Sequence, residues 1–310
     1  MDKYYVGIDL GGTNIKIGVV KDGAILISDS ISAESDHSMR ERLPVIRETI
    51  DRLLQKKQID TDRLGGIGLS FPSVVDDKNR RILSRYVKFS DADEIDLNQW
   101  AIDIWGVPLA LENDARAALV AEWQYGAGQG FDNIVQITLG TGFGSAVLLE
   151  GKLFRGAHHV GGNLGGHVMI NFQGDPCNCG AYGCMETEAS GWVLHNKWKQ
   201  DPLYRDSLLA REDNITYRTV FQYQEDALSK KILAHSLQAW SANVYNLVHH
   251  FDPEVVIVGG GIMKSGDLII HHLQDFVDQY CWQPRGSVKI LAATHSEFAG
   301  MLGMAYLASR

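Results

Sequence analysis

Apolar residues recur along this chain in two rhythms, one near-continuous over five to eight residues and one spaced three and four apart. YYVGID at 4–9 and KIGVV at 16–20 are of the first kind, and predict a buried strand with its hairpin partner. Residues 37–57 are of the second kind. Leu43, Ile46, Ile50, Leu53 and Leu54 fall on one face of an amphipathic helix. GGIGLSF at 65–71 predicts another buried strand, and Leu109–Glu112 a strand running into Asn113-Asp114. A helix then spans Ala115 to Tyr125, stopped by Gly126 and Gly128. Strands follow at 134–138 and 145–149. A long helix spans Glu225 to His250, with Leu228, Ile232, Leu237, Trp240, Val244, Leu247 and Val248 along its apolar side. FDPEVVIVGGGIM at 251–263 reads as turn, buried strand and glycine turn. A strand at 288–291 and a helix at about 297–308, rich in small residues suited to close packing, complete the map. Strands alternating with helices predict an α/β protein. Trp192 and Trp240 are expected in the core.

Composition narrows the class. At 310 residues the chain is long enough for two domains with cores of their own. An apolar fraction of 45% and a charged fraction of 22% are those of a globular protein. No apolar run reaches the roughly 18 residues that a membrane helix needs, and MDKYYVGIDLGG is neither a signal nor a transit peptide. The formal net charge of −9 argues against a nucleic-acid partner. Four cysteines, three of them clustered, fit a reducing cytoplasm better than a disulfide framework.

Candidate chemistry sits in the turns. Asp9-Leu10-Gly11-Gly12-Thr13-Asn14 joins the first two strands, and backbone N–H groups in such a turn can face a phosphate. A carboxylate beside them can hold Mg²⁺ through water. No helix follows, so this is neither a P-loop nor a dinucleotide fingerprint. Thr138-Leu139-Gly140-Thr141-Gly142-Phe143-Gly144 repeats the same device between the strands at 134–138 and 145–149. Asn113-Asp114 lies where a strand meets a helix, a place for an active-site carboxylate and equally for an N-cap. The second glycine turn favours the active-site reading.

His167, Cys177, Cys179, Cys184 and Glu186 form the densest cluster. Thiolates and an imidazole suit tetrahedral zinc, and four protein ligands make a structural site. Gly174, Pro176, Gly180 and Gly183 let the loop fold back on itself. The alternatives are a disulfide or reduced cysteines in a surface loop. One intervening residue would strain a Cys177–Cys179 bridge and leave a third sulfur unpaired.

His-x9-Cys-x-Cys-Gly-x2-Gly-Cys-x-Glu, from His167 to Glu186, resembles the zinc signature of the ROK family of bacterial sugar kinases and sugar-responsive repressors. With the two glycine turns, Asn113-Asp114 and the third glycine turn at 259–261, the resemblance spans the chain in the family's order. It implies two ribonuclease-H-like domains of the actin-like ATPase type with a cleft between them. The expected limits are 1–114 and 115–296, with the helix at about 297–310 returning to the first domain. It implies ATP-dependent phosphorylation of a hexose at its 6-hydroxyl, with Asp114 as general base. Asp9 with Mg²⁺, Gly11, Gly12, Thr13 and Lys16 would hold phosphate from one side. Gly140, Thr141 and Gly142 would hold it from the other, and Gly259 and Gly260 would approach the adenosine. Asn113, Ser73, Asn163, His167 and Glu186 would bind the sugar, and His167, Cys177, Cys179 and Cys184 the zinc. A homodimer is the family's expectation.

Two positions depart from the family's pattern. Asn163 stands where its kinases carry a sugar-binding glutamate, with one extra glycine before His167, and Phe71-Pro72-Ser73 replaces a Pro-Gly. Which sugar is bound does not follow. A repressor would carry a helix-turn-helix segment ahead of the first glycine turn, and the first strand begins at about residue 4, so the kinase reading leads. A sugar sensor that binds without turnover is the alternative that Asn163 suggests.

Overall fold

The structure, a computed structural model, describes residues 3–83, 88–295 and 297–310. The chain opens on β1 (Tyr4–Leu10), β2 (Asn14–Lys21) and β3 (Ala24–Ser32). Helix α1 (Met39–Lys56) starts at Ser38, whose side chain accepts from Glu41 N. It buries Leu43, Ile46, Ile50, Leu53 and Leu54, the stripe that the sequence spacing marks out. Strand β4 (Leu64–Phe71), the short pair β5 (Val75–Asp76) and β6 (Arg81–Ile82), helix α2 (Leu97–Trp105), β7 (Leu109–Asn113) and α3 (Asp114–Tyr125) follow.

Beyond α3 come β8 (Ile134–Leu139), β9 (Phe143–Leu149) and β10 (Lys152–Leu153). Three short helices succeed them: α4 (Met185–Ala189), α5 (Leu194–Trp198) and α6 (Tyr217–Gln222). The long α7 (Ala227–Phe251) is capped by Asp226, whose carboxylate accepts from Leu228 N and Ser229 N. Strand β11 (Val255–Gly259), α8 (Asp267–Tyr280), β12 (Lys289–Ala292) and α9 (Ala299–Ala308) end the order.

The chain divides into two units, one of residues 1–129, 155–160 and 294–310, the other of 130–154 and 161–293. The first is built on a sheet of order β3-β2-β1-β4-β7, with β1–β2 and β2–β3 antiparallel and β1–β4 and β4–β7 parallel. The second repeats that plan as β10-β9-β8-β11-β12, antiparallel in the hairpins and parallel across β8–β11 and β11–β12. The glycine turns at 11–13 and 140–142 are thus the loops of the hairpins that feed the parallel halves of their own sheets.

Glycines bring α9 onto the first sheet. A Cβ on Gly7 or Gly68 would run into the carbonyls of Met301 and Met304, and one on Gly18 into the Met301 sulfur. On the helix side, a Cβ on Gly303 would meet the Ala117 carbonyl of α3. Small residues on both surfaces allow backbone to approach backbone, which larger side chains would prevent. The core of this unit lies on the other side of the sheet as well, where Val6, Ile8, Ile17, Ile46 and Ile50 are fully buried. In the second unit Trp240 of α7 is fully buried, and its indole N–H donates to the Ala189 carbonyl at 3.1 Å. The Tyr217 hydroxyl donates to the same oxygen at 3.0 Å, fixing the end of α4.

Several elements escape the hydrophobic pattern, the short β5, β6, β10, α4, α5 and α6 among them. Of the longer ones, β3 is an edge strand of mixed burial, α2 is short, and α8 buries only Ile269, Leu273 and Val277. Trp192 is a correction: it is 42% exposed rather than packed in the core. Its backbone is tied to a neighbouring turn, leaving the indole at the surface.

Candidate active site

In the first unit the site begins at the end of β1. Asp9 is paired with Ser70 in the ladder to β4, and Asp9 Oδ1 accepts from Ser70 Oγ at 2.9 Å. The turn after it is tight, with Gly11 N donating to the Asn14 carbonyl at 3.1 Å. It is braced from outside by Ser35 Oγ, which donates to the Gly12 carbonyl at 2.7 Å, and by Ala33 N, which donates to the Thr13 carbonyl at 2.9 Å. A Cβ on Gly12 would collide with the Lys88 ammonium, so a cation lies directly on this turn. Lys88 carries no motif and sequence reasoning missed it. Lys16 extends from β2 beside Asp9, and its Nζ donates to the Glu297 carbonyl at 2.7 Å.

Asn113 and Asp114 fill both roles that their position allows. Asn113 Oδ1 caps α3, accepting from Ala115 N at 3.1 Å and Arg116 N at 3.3 Å. Its amide nitrogen donates to Asp114 Oδ1 at 2.9 Å and to the Ser73 carbonyl at 3.2 Å. Asp114 is thereby oriented without being neutralised. Burial, with the Asp9 charge adding to it, pushes its pKa up from 3.8 to about 6. Bonds from Ala115 N and Asn113 partly oppose that shift.

Beneath this pair lies a buried ionic network that the sequence did not disclose. Glu112 is fully buried, and its Oε1 accepts from Asn113 N at 2.8 Å. Its Oε2 takes Arg155 Nε at 3.0 Å and Nη2 at 2.6 Å. The wholly buried Arg116 lies 3.5 Å from Glu112 and donates to the His159 carbonyl at 3.0 Å. The segment 155–160 is thus clamped to the end of β7. An acid and a base i,i+4 apart at 112 and 116 were the available signal, though nothing local marked them as buried.

In the second unit the turn between β8 and β9 closes through Gly140 N donating to the Gly142 carbonyl at 3.1 Å. Gly191 N and Trp192 N donate to the Gly140 and Thr141 carbonyls, each at 2.9 Å. Glu186, on the first turn of α4, accepts from Phe143 N at 3.4 Å and from the Trp192 indole at 3.1 Å. The loop holding Asn163 is pinned by Ser145, which donates to the Gly162 carbonyl at 2.7 Å and accepts from Gly165 N at 2.8 Å. From α7, Asn243 adds a bond to the Gly165 carbonyl at 2.9 Å. Asn163 Oδ1 is buried and has no hydrogen-bond partner among the described residues. Gly260, at φ 99°, packs against the Leu139 backbone, where no side chain would fit.

His167, Cys177, Cys179 and Cys184 come together with their donor atoms all within 4.8 Å of one another. Around tetrahedral zinc, with Zn–S about 2.3 Å and Zn–N about 2.0 Å, neighbouring sulfurs stand about 3.8 Å apart and a sulfur and a nitrogen roughly 3.5 Å apart. The observed separations are 3.7 Å for Cys179–Cys184 and 3.6 Å for Cys177 to His167 Nδ1. The donor set and its spacing fit such an ion. Gly180 and Gly183, at φ 92° and 61°, supply the left-handed turns that fold the loop, and a Cβ on Gly183 would strike the Asn171 carbonyl.

A sequence profile described as the ROK family matches residues 5–310. The chain belongs to the ROK family. Among curated relatives, a glucokinase of Thermotoga maritima is 31% identical, with 97% of this chain and 95% of that protein aligned. A xylose repressor of Bacillus subtilis is 27% identical over 97% of this chain and 76% of its own length. Among solved structures, a ROK glucokinase of Streptomyces griseus in complex with glucose and AMPPNP superposes with a TM-score of 0.79 at 29% identity, covering 98% of each chain. The two repeated sheets are those of the actin-like ATPase fold to which ROK kinases belong. Among the described residues no helix is long and apolar enough to cross a membrane.

Proposed function

We propose that the protein is an ATP-dependent hexose kinase acting on the 6-hydroxyl of its sugar. The observation that carries this reading is Asp114, a carboxylate oriented by Asn113 whose pKa is raised to about 6. A general base works best when its pKa approaches the working pH, and it contributes about 10²–10⁴-fold. Asp114 takes the hydroxyl proton as the sugar oxygen forms its bond to the γ-phosphorus. The bond from that phosphorus to the bridging oxygen breaks, and ADP carries the electron pair away.

Positioning and charge supply the rest. The turn at Gly11, Gly12 and Thr13 with Lys88 and Lys16, and the turn at Gly140, Thr141 and Gly142, offer N–H groups and cations to phosphate. Asp9, with Ser70 fixing one carboxylate oxygen, would hold Mg²⁺ through its other oxygen, and that ion would neutralise phosphate charge. Gly259 and Gly260, whose missing side chains let the end of β11 pack against Ala293 and Leu139, form the turn that would approach adenosine. On the sugar, Asn113, Ser73, Asn163, Glu186 and His167 take the hydroxyls. Asn163, with its unpartnered carbonyl oxygen, both accepts and donates where a glutamate would only accept.

His167 turns Nδ1 towards the sulfurs, leaving Nε2 for a sugar hydroxyl. Zinc held by His167, Cys177, Cys179 and Cys184 would fix that ring's orientation and tautomer, and would take no part in the phosphoryl transfer. A cytoplasmic homodimer completes the proposal. Phe172 and Trp282, exposed to 77% and 84%, give the second unit apolar surface that a partner copy would cover. Sedimentation would read that assembly directly.

The decisive assay couples ADP formation to a panel of glucose, mannose, fructose, allose, glucosamine, N-acetylglucosamine, N-acetylmannosamine and a β-glucoside. Turnover with one hexose, lost in Asp114→Asn, is the expected result. Binding of a sugar without ADP formation would sink the kinase reading in favour of a sensor.

A further inference from the structure

Trp192 is held on three sides and still presents its ring to water. Its backbone N–H is bound to Thr141, its neighbour Gly191 is bound to Gly140, and its indole N–H donates to Glu186. An indole fixed in this way at 42% exposure is an aromatic face kept available rather than packed. The same side chain lines a groove of about 300 Å³. The other polar walls are Asp175, Thr187, Asn196, Lys197 and Gln200.

The groove is built rather than incidental. Lys197 Nζ bonds Asp175 at 2.8 Å and the buried Glu188 at 3.1 Å, tying the cysteine loop to α4 and α5. Glu188 in turn accepts from Asn171 at 3.1 Å and lies 3.2 Å from His235 of α7. The wall carrying Asp175 therefore has a fixed position. Asn196 and Gln200, four residues apart, are exposed and line the same groove. A flat aromatic face beside amides and a carboxylate suits a pyranose. The C–H face of the sugar ring covers the indole, and its hydroxyls pair with groups that both donate and accept. The volume matches the small end of ligand pockets, about 300 Å³ and upward.

We propose that this groove is a second carbohydrate subsite, so that the substrate is a disaccharide or a comparable glycoside whose second pyranose ring stacks on Trp192. This rests on the kinase reading only in taking Glu186 as a sugar ligand. A ring whose hydroxyls Glu186 holds presents its next substituent to the indole bonded to that carboxylate.

Tryptophan emission reports binding without turnover, and ADP formation reports turnover. Glucose, cellobiose, maltose and an ATP analogue would be titrated into the wild type, Trp192→Phe and the double variant Asn196→Ala/Gln200→Ala. A disaccharide should change the emission of the wild type but not of Trp192→Phe. Loss of two side-chain hydrogen bonds should lower the disaccharide-to-glucose affinity ratio about tenfold in the double variant. The ratio of kcat/KM should fall in parallel. Disaccharide binding without ADP formation would leave the subsite standing and remove the kinase assignment. Glucose phosphorylation with no disaccharide bound or phosphorylated would do the reverse. Equal losses for both sugars, or an emission change with the ATP analogue alone, would also overturn the subsite.

Discussion

The side-chain amide of Asn113 donates to Asp114 Oδ1 at 2.9 Å while the same side chain caps α3, so one residue both starts the helix and aims the carboxylate. If that carboxylate is the base, kcat/KM for the sugar falls on the acid side with an apparent pKa near 6, the value to which burial and Asp9 lift Asp114. Asp114→Asn should cost about 10²–10⁴-fold in kcat. Its residual rate should lack the acid limb. A limb in the ordinary carboxylate range would remove Asp114 from the role.

The same shift makes a prediction about stability. The folded chain binds the Asp114 proton more tightly than the unfolded chain, whose value is 3.8. The group's contribution is therefore full below that value and is lost as pH rises through about 6. Asp114→Asn keeps an acceptor for Ala115 N and carries no charge. It should melt above the wild type at pH 8, and scanning calorimetry should find the gap closing towards pH 4.

Arg155→Met would strip the bidentate partner from Glu112, a carboxylate fully out of water. Removing one member of a buried pair costs about 3–5 kcal/mol, moderated here because Arg116 remains nearby. Denaturant titration should show the loss. Arg155→Met/Glu112→Gln should recover part of it, and full additivity of the two losses would deny the coupling.

Lys88→Met should raise the KM for ATP by about tenfold, the worth of one charge-assisted hydrogen bond, with a smaller effect on the KM for sugar. Equal effects on both would mean that the ammonium over Gly12 does not meet phosphate.

Metal removal is read separately. A strong chelator, or Cys184→Ser, should lower the melting temperature and raise the sugar KM more than it lowers kcat, because a bound ion would order the loop around His167 and Glu186. Metal analysis of the purified protein should return one zinc per chain. A chain free of zinc with normal sugar binding would refute the site.

Much of the fold was legible because the repeated unit is a hydrophobic one. Ile46 and Ile50 in α1, and Val135 and Ile137 in β8, reach zero exposure in line with their spacing. The cysteine cluster was legible because its spacing is local. What stayed hidden is long-range. Lys88 meets Gly12 across a stretch of chain with no pattern, and Arg155 reaches Glu112 over 43 residues. Trp192 was misjudged because a large apolar side chain reads as core unless the bonds of its backbone are known.

The glycine-lined seat of α9 has a consequence for biosynthesis. Residues 299–308 close one face of the first sheet, yet a growing chain releases them only after all of 161–293, the larger part of the second unit. Domains fold as their sequence emerges. The middle of this chain can therefore reach its final form while the N-terminal sheet still waits, one face uncovered, for a helix not yet synthesised.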